Sequence, residues 1–558
     1  MKYPDVDLNE GEDLDQIRKL EVKFESSKNA KKHKINRWRR NEELYNGQML
    51  KPFNLPKYKS RIEPNFVHSI LETIYSIMTD RNPKVDIMPK REDQVDSARI
   101  AQEAIENEMA NAKASRAVAN MKRDGLLYGN GFIKITIDDG VINYSVPDPY
   151  TVFIDPLATS IEDAKCVIFA TPKYCKDIEK EYGKKVVGEG SLNEYKSFVK
   201  NVDKYATDKV PGLDFKSLSP HEDSMDDEYG GGQALVKEAW YYEDEELCVA
   251  TWCGKTLLQK TKSPYKFIPL VCFQNYQDAH TVWGKGEPEI VESLVVGTSI
   301  SLSQAMDNLI YHGNPAIVMS KAMAKTSGNR PTDKPGQIFY TGGPHESVQR
   351  LPAGNISSSS IPMADSMMKM TDIVSGVHDI TQGRNPSGVT ASRAIQQLQE
   401  ASQQIIRTKE REVGQDAIIS MYRITLQLLV NNYEQPINIR RITDTGYEFD
   451  QVNPYELSED LDFKYIPGSS MPESRANRFD QALDLVQLGL LDQEKFWRWT
   501  QKDISKEILE EMLEQKRQRE EAIQQQVQIM NTSTDEDEIM DAQLKYREMM
   551  GMNDEQEA

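Results

Sequence analysis

Residues 286–315 read GEPEIVESLVVGTSISLSQAMDNLIYHGNP, and this stretch decides the fold class. Pro288, flanked by two glutamates, is typical of a helix start, and Gly313 followed by Pro315 is typical of a helix end. Apolar residues recur every seven positions, at Val295, Leu302 and Leu309. Small residues occupy much of the remaining surface: Gly297, Ser299, Ser301 and Ser303. The pattern predicts a helix that can pack between close neighbours on two sides.

A second helix with a narrow apolar stripe follows a β-rich tip. Residues 314–360 contain short β-type runs and turns, such as AIVMS and GQIFYTGG. Apolar residues then advance by four and three, at Met363, Met367, Met370, Val374 and Val377. Two matched helices therefore bracket the tip. An ordinary helical hairpin in one core is one interpretation, but stripes this narrow suit helices that repeat side by side around an assembly.

A long polar helix is predicted over residues 391–433, after a loop rich in Gly, Pro and Asn at 382–390. Its segment TASRAIQQLQEASQQIIRTKE has a modest apolar stripe, formed by Ile395, Leu398, Ile405 and Ile406. Such a helix is hard to bury against one chain, because buried apolar area supplies most of the stabilisation. We expect copies of the same chain to complete its burial.

Three further helices are predicted near the N-terminus. Residues 12–46 form a charged helix in which KNAKKHKINRWRR places seven Lys or Arg residues around Trp38. A nucleic-acid-binding stripe is one interpretation, but acidic neighbours on both sides favour a solvated or subunit-facing helix. Helical spacing recurs at Phe66, Ile70, Ile74 and Met78. The third helix, over residues 94–124, is rich in alanine, which lets neighbouring helices approach closely.

A β-rich part follows these helices. The segment GFIKITIDDGVINYSV contains two β-type runs separated by Asp-Asp-Gly, which predicts a hairpin. Further β-type runs are CVIFATP, ALVKEAWYYE, LCVATWCG and KFIPLVCFQNY. Between them, residues 186–234 include the acidic stretch SPHEDSMDDEYGGGQ, which favours a mobile insertion.

The composition narrows the function classes. The formal net charge is −20 at pH 7, which argues against a protein that coats nucleic acid, because phosphate binding depends mainly on Lys and Arg. The charge is compatible with a protein past which DNA slides without adhering. The five cysteines show no repeated CxxC, so we expect reduced thiols in a cytosolic setting. We predict neither a secretion signal nor a membrane span, because no long apolar run occurs.

No motif predicts catalysis, a cofactor or a metal site. CGKT at 253–256 resembles the end of a phosphate-binding loop, but Val249 stands where that loop requires a glycine, so a hairpin end is the better interpretation. The seven histidines include no HExxH pair, and HEDSMDDE lacks the ligand spacing of a calcium loop. No nucleophile motif occurs. We therefore predict a protein that is not an enzyme.

The tip has a different charge from the rest of the chain. Between 313 and 360 the acidic residues are Asp333 and Glu346. The basic residues of the same range are Lys321, Lys325, Arg330, Lys334 and Arg350. Basic residues at one end of an acidic protein fit contact with DNA phosphates or with an acidic partner, although chance is an equal explanation.

The order of these elements resembles the portal (head-to-tail connector) proteins of tailed bacteriophages, from about residue 60 to about residue 500. The resemblance depends on the serial order of several motifs: RIEPNFVHSILETIYSIMTDRNPKVDIMP, LYGNGFIKI, VPDPYTVFIDP, the quoted 286–315 stretch, NPSGVTASRAIQQLQEASQQ and GSSMPESRANRFDQALDLVQLGLLD. It implies an α+β, predominantly helical subunit of a homo-oligomeric ring, typically of twelve copies, around a channel for double-stranded DNA.

Carried onto this sequence, the resemblance implies successive regions. They are a wing (1–285), stem helix 1 (286–312), a β-rich clip (313–360), stem helix 2 (361–381), a tunnel loop (382–390), a wing return (391–470), a helical crown with a possible barrel helix (471–530) and an acidic tail (531–558). The basic N-terminal helix, the insertion at 186–234 and the acidic tail match nothing in the family pattern.

The resemblance also implies site residues and partners. The tunnel loop would face the DNA channel with Gln382, Gly383, Arg384, Asn385, Pro386, Ser387 and Gly388. The five basic residues of the clip would face the terminase large subunit and later the tail adaptor. Major capsid and scaffolding proteins are further expected partners, at a capsid vertex that assembles in the host cytoplasm. Two alternatives remain: a self-assembling structural or scaffold protein without a DNA channel, and a metal-dependent hydrolase that uses scattered carboxylates.

Overall fold

Helices and antiparallel strands alternate along the chain, which confirms the expected α+β class. The computed structural model describes residues 10–56, 58–80, 83–138, 140–186, 233–263, 265–313, 317–319, 348–350, 360–377, 404–432, 437–443, 446–453, 457–458 and 460–466. All of these residues belong to one compact unit.

A five-stranded antiparallel sheet forms one side of the core. Its strands, in spatial order, are β4 (Val152–Ile154), β5 (Cys166–Tyr174), β6 (Gln233–Glu243), β7 (Glu246–Cys253) and β8 (Thr256–Lys262). Gly254 has a φ of +56° between β7 and β8, a conformation that favours glycine. The CGKT segment is thus the end of a hairpin, as predicted.

A three-stranded antiparallel sheet contains the predicted Asp-Asp-Gly hairpin. Its strands are β2 (Asn130–Asp138), β3 (Val141–Ser145) and β9 (Leu270–Gln274), with β2 in the centre. Asp138 pairs with Val141, which confirms the hairpin. Gly131 allows a close approach here, because a Cβ atom at this position would lie 1.9 Å from the carbonyl oxygen of Met121.

Five helices surround these sheets: α1 (Glu10–Tyr45), α2 (Phe66–Met78), α3 (Val95–Asn111), α4 (Ala114–Tyr128) and α5 (Cys175–Tyr182). The prediction of one continuous helix over 94–124 is wrong. Lys113 has a φ of +54°, so the chain turns between α3 and α4. The turn lets both alanine-rich faces reach the core, where Ala101 and Ala117 are buried.

The remaining strands form two-stranded antiparallel ladders. The pairs are β1 (Val85–Pro89) with β16 (Leu461–Tyr465), β10 (Tyr276–Asp278) with β11 (Thr281–Lys285), β12 (Ile317–Met319) with β13 (Val348–Arg350), and β14 (Ile437–Thr443) with β15 (Gly446–Val452). The ladder of β12 and β13 confirms strands in the described part of the tip.

Four helices follow in the second half of the chain: α6 (Glu287–Gly313), α7 (Ser360–Ser375), α8 (Gln404–Val413) and α9 (Ile419–Asn432). A π-helical turn at Gly414–Ile418 joins α8 to α9. Helix α6 was predicted over 286–312 and is confirmed. Helix α7 ends earlier than the predicted 381, because Gly376 adopts a φ of +71°.

The main core lies between the two larger sheets, α1 to α4, α8 and α9, and we call this assembly the body. The expectation that the long polar helix needs other copies is wrong for its described part. Ile406 is fully buried in the chain's own core, and Leu428 and Leu429 of α9 are buried in the same core. Ile405 is exposed, while residues 391–403, including Ile395 and Leu398, lie outside the described residues.

Candidate functional site

Helices α6 and α7 pack against each other, and we call them the helical pair. A Cβ atom on Gly297 of α6 would lie 2.8 Å from the sulfur of Met367 on α7. The start of α6 and the end of α7 both touch α8: Lys409 binds Glu287, and Gly376 lies against Ile405. The two helices therefore run in opposite directions from a common base.

The base of α6 is fixed by a buried ion pair between Glu287 and Lys409. Asn275 Nδ2 donates a hydrogen bond to Glu287 at 2.9 Å, and the Tyr276 hydroxyl donates to it at 3.3 Å. Burial alone would lower the pKa of Lys409, but the nearby charge of Glu287 and the phenol of Tyr276 outweigh it and raise that pKa. Lys409 is therefore a charged anchor for the first turn of α6.

The side of α6 next to α1 is held by two arginines. Arg40 binds Glu292 at 2.7 Å, and Arg37 binds Glu292 at 3.1 Å and Glu289 at 3.5 Å. The prediction that α1 is a solvated or subunit-facing helix is wrong. Lys31 is fully buried and donates to three backbone carbonyl oxygens, while Trp38 is fully buried as well. Several basic residues of α1 thus serve internal contacts rather than a nucleic-acid surface.

The segment between α1 and α2 contacts the second half of α6, and we call residues 46–65 the strap. The backbone N–H of Ser60 donates to Asp307 at 2.8 Å, and that of Ile62 donates to the Ser303 hydroxyl at 2.9 Å. Lys59 lies 3.4 Å from Asp307. Since α6 contains no Lys or Arg, its charges are four carboxylates, and each is paired with a cation of the same chain.

Helix α7 is packed on one side only. Its buried positions are Ala364, Thr371 and Ser375. Apolar side chains are exposed on the rest of its surface: Ile361, Met363, Met370, Ile373 and Val374. At about 100° per residue, Met363, Met370 and Val374 fall on one stripe, with Ile373 beside it. The charged residues Asp365 and Lys369 fall on another side of the helix. An apolar stripe of this kind normally faces a partner.

The second half of α6 also exposes apolar side chains, at Ile300, Met306, Leu309 and Ile310. About half of the exposed large hydrophobic side chains of the described residues therefore lie on the helical pair. Scattered apolar side chains are ordinary on protein surfaces, but a concentration on two adjacent helices marks an interaction surface. The helical pair is thus the candidate functional site.

A carboxylate cluster lies inside the body. Glu42 accepts hydrogen bonds from the hydroxyls of Tyr128 at 2.9 Å and Tyr150 at 3.0 Å. Burial, reinforced by the charge of Asp148, raises the pKa of Asp124 to about 7. Burial also raises the pKa of Glu42 and of Asp148. The cluster joins α1, α4 and the turn at residues 148–151 that precedes β4. Within the described ranges, no group of three or more metal-binding side chains is arranged to hold a metal ion.

The residues predicted for DNA and partner contact lie mostly outside the described residues. These are the tunnel-loop residues Gln382, Gly383, Arg384, Asn385, Pro386, Ser387 and Gly388, and the clip residues Lys321, Lys325, Arg330 and Lys334. Arg350 is the last residue of β13. The Glu287–Lys409 pair is not predictable from the sequence, since its members are 122 positions apart and no local pattern connects them.

A family model described as "Phage SU10 portal protein" matches residues 140–555, which is well over half of the chain. A search of curated proteins found no match. Of the helices that the structure describes, none combines the length and apolar character that crossing a bilayer requires.

Proposed function

The chain belongs to the phage SU10 portal protein family, and from that premise we propose that twelve copies form a ring around a channel for double-stranded DNA. The ring occupies one capsid vertex of the virion and passes the genome during packaging and ejection. The alternative of a scaffold protein without a channel has no support from the family match.

The unpartnered apolar stripe of α7 is the observation that carries this proposal. In one chain, Met370 and Ile373 are 52% and 67% exposed. Each buried apolar Å² stabilises an interface by roughly 25 cal/mol, so a stripe repeated in every copy favours lateral association. Because a chain with two different contact surfaces closes into a ring when the rotation between copies fits, the helical pair suits the wall of such a ring.

We assign the helical pair to the stem of the portal and the tip at 313–360 to the clip. Residues 1–285 and 391–470 form the wing, and residues after 470 form the crown. These assignments follow the order of regions in the family, and the β12–β13 ladder between α6 and α7 fits the clip position. The tunnel loop at 382–390 projects into the channel.

The charges of α6 fit DNA that must move. Its carboxylates are paired with cations of the same chain, so α6 has neither free cations that would hold phosphates nor unpaired anions that would repel them. Since each neutralised phosphate adds to affinity, a channel lined with many cations would retain the genome. Arg384 supplies one cation per copy in the tunnel loop.

The basic residues of the clip serve docking. Lys321, Lys325, Arg330, Lys334 and Arg350 face the terminase large subunit during packaging and the tail adaptor afterwards. Major capsid and scaffolding proteins contact the outer part of the ring during assembly in the host cytoplasm. Members of the portal family are structural proteins, and we propose that the isolated chain hydrolyses neither ATP nor DNA with divalent cations present.

Single-particle images of the purified chain test the function. A portal gives closed rings with a central hole wide enough for duplex DNA. Assemblies without a hole would support the scaffold alternative. Turnover of ATP or DNA by the isolated chain would support the hydrolase alternative.

Two sets of substitutions test the assigned regions. Arg384→Ala is expected to alter genome packaging or retention while rings still form, and loss of rings with normal DNA handling would contradict the tunnel-loop assignment. Neutralisation of Lys321, Lys325, Arg330 and Lys334 together is expected to weaken terminase or adaptor docking. Unchanged docking would remove the charge argument for the clip.

A further inference from the structure

A cleft lies between α1, the β10–β11 ladder and the start of α6, and we call it the basic cleft. Its volume is about 690 Å³, which is ample for a ligand with several functional groups. Helix α1 lines it with His33, Lys34 and Arg37, which share one face of the helix. The ladder contributes Asp278 and Lys285 from the opposite side. Side chains from distant parts of the chain thus converge on one space.

Positive charge exceeds negative charge in the lining of the basic cleft. Arg37 and Glu289 lie 3.5 Å apart and offset each other. The remaining charged side chains of the lining are two lysines and one aspartate, Lys34, Lys285 and Asp278. A chain with a net charge of −20 therefore has a local excess of positive charge at this place. Such an excess favours an anionic ligand.

The charge of Lys34 is only partly compensated within the chain. Its Nζ donates to the carbonyl oxygens of Trp283 and Gly284, both at 3.2 Å. In the part of the chain that the structure describes, no carboxylate lies within ion-pair distance of the ammonium groups of Lys34 and Lys285. Burial lowers the pKa of Lys34, two carboxylates farther away oppose this change in part, and neighbouring cations lower the pKa further. A carboxylate from outside the chain would meet two lysines that lack one.

The size and lining of the basic cleft indicate which kind of anion fits. Ala30, Trp283 and Ile290 also line it, so apolar side chains can lie beside a charged one. A single small anion would leave most of this volume unfilled. Duplex DNA fits poorly, because the net negative charge of the chain repels a polyanion. A short protein segment with carboxylates next to apolar side chains satisfies both the charge and the size.

We propose that the basic cleft binds an acidic peptide segment of a partner protein. Carboxylates of the segment pair with Lys34 and Lys285, and an adjacent apolar side chain packs against Ile290. The proposal gives a role to the basic part of α1, which matches nothing in the family pattern. It does not depend on ring formation, because all lining residues belong to one chain.

Fluorescence anisotropy of a labelled peptide tests the proposal with the full chain. The probe is the synthetic peptide Gly-Ser-Glu-Leu-Glu-Leu-Glu-Ser-Gly. We expect saturable binding that weakens as the salt concentration rises, because salt screens the attraction between exposed charges. The same peptide with Gln in place of each Glu is expected to bind about tenfold more weakly, since it lacks the carboxylates. Equal affinities of the two peptides, or no binding of the Glu peptide, would overturn the proposal.

Two charge reversals in the chain locate the binding. Lys285→Glu reverses an exposed charge of the basic cleft and is expected to weaken binding of the Glu peptide about tenfold. Lys32→Glu is the matched control, because Lys32 is exposed on α1 outside the lining, and it should change the affinity less than about twofold. Equal effects of the two variants would overturn the assignment to this cleft.

A labelled DNA duplex separates a peptide site from a nucleic-acid site. We expect no binding of the duplex that depends on Lys285. A duplex that binds the wild-type chain and is released by Lys285→Glu would overturn the peptide assignment. Rings in the images without peptide binding would overturn this inference and leave the portal function standing. Peptide binding by a chain that forms no rings would support the inference and remove the portal function.

Discussion

The body buries its large apolar side chains within one chain, whereas the helical pair leaves several of them exposed. In the body, large residues such as Trp38, Phe153 and Trp252 are fully buried by the chain's own sheets and helices. In the helical pair, α7 buries small or polar residues against α6, while Met370 and Ile373 stay exposed. The body is therefore complete in one chain, and the helical pair is not.

The ion pairs show the same difference. In the body, Lys122 and Glu410 bind each other at 3.0 Å with both side chains buried, and Lys122 also donates to the carbonyl oxygen of Met78. In the helical pair, ion pairs hold α6 at its base, at the flank next to α1 and at the strap. We therefore propose that folding of the chain depends on the body, whereas ring assembly depends on the helical pair. Substitutions can separate the two.

The largest effect on folding is expected from Lys122→Met. The substitution leaves the carboxylate of Glu410 buried without its cation, which typically costs about 3–5 kcal/mol of unfolding free energy. Chemical denaturation at concentrations below ring formation measures the loss. The matched control is Arg99→Met, which breaks the exposed pair of Arg99 with Glu103 and should cost less than about 1 kcal/mol. Equal losses in the two variants would contradict a self-sufficient body.

A smaller contrast is expected between two glycine substitutions. In Gly131→Ala the new methyl group meets the Met121 backbone carbonyl, which cannot move freely, so we expect a loss of about 1–3 kcal/mol or more. In Gly297→Ala it meets the end of the flexible Met367 side chain, and alanine favours the helix by about 1 kcal/mol, so we expect little net change. Denaturation midpoints measure both. A Gly297→Ala chain as unstable as Gly131→Ala would show that the pair is as tightly packed as the body.

The carboxylate cluster of the body predicts a pH effect. Asp124 has a pKa of about 7 in the folded chain against an ordinary value of 3.8, because of burial and then the charge of Asp148. Between these values the folded chain binds the extra proton and the unfolded chain does not, so this group's contribution to stability falls as pH rises from about 4 to 7 and is constant above. The free energy of unfolding of Asp124→Asn, measured relative to wild type, should therefore be larger at pH 8 than at pH 5. The same difference at both pH values would refute the shift.

The smallest effect on chain stability, about 0.5 kcal/mol or less, is expected from the double variant Met370→Lys and Val374→Lys. Both side chains are exposed in one chain, so the body should fold normally. The rings should be lost, because charged side chains cannot enter an apolar interface. Sedimentation measures assembly and denaturation measures folding. Lys369→Ala on the charged side of α7 is the control and should leave the rings intact.

The sequence predicted the elements whose ends are set by nearby turn or helix-end residues. Pro288 and Gly313 bound α6, and Asp-Asp-Gly gave the β2–β3 hairpin. The positive φ of Lys113 was not predicted, because the residue carries no turn signal and the break serves packing of α3 and α4 in the core. The early end of α7 depends on Gly376, and a glycine at this point of the sequence is itself a helix-end signal.

The candidate site was predictable only in part. The narrow stripe of Met363, Met370 and Val374 was visible in the sequence, and the expectation that it faces other copies stays a proposal. The internal role of the basic residues of α1 is not predictable locally, since burial of Lys31 depends on carbonyl groups more than 100 positions away. Contacts between distant parts of one chain leave no local pattern. The pairing of Lys409 with Glu287 can therefore be identified only from the three-dimensional structure.

Methionine oxidation in the assembled particle tests most directly whether copies complete the helical pair. Met363 and Met370 of the stripe are 53% and 52% exposed in one chain, and Met88 on strand β1, outside the helical pair, is 39% exposed. Peroxide treatment followed by peptide mass spectrometry measures the oxidation rate of each thioether. We expect Met370 and Met363 to oxidise at least tenfold more slowly than Met88 in assembled particles. Equal or faster oxidation of the two stripe methionines would contradict the account.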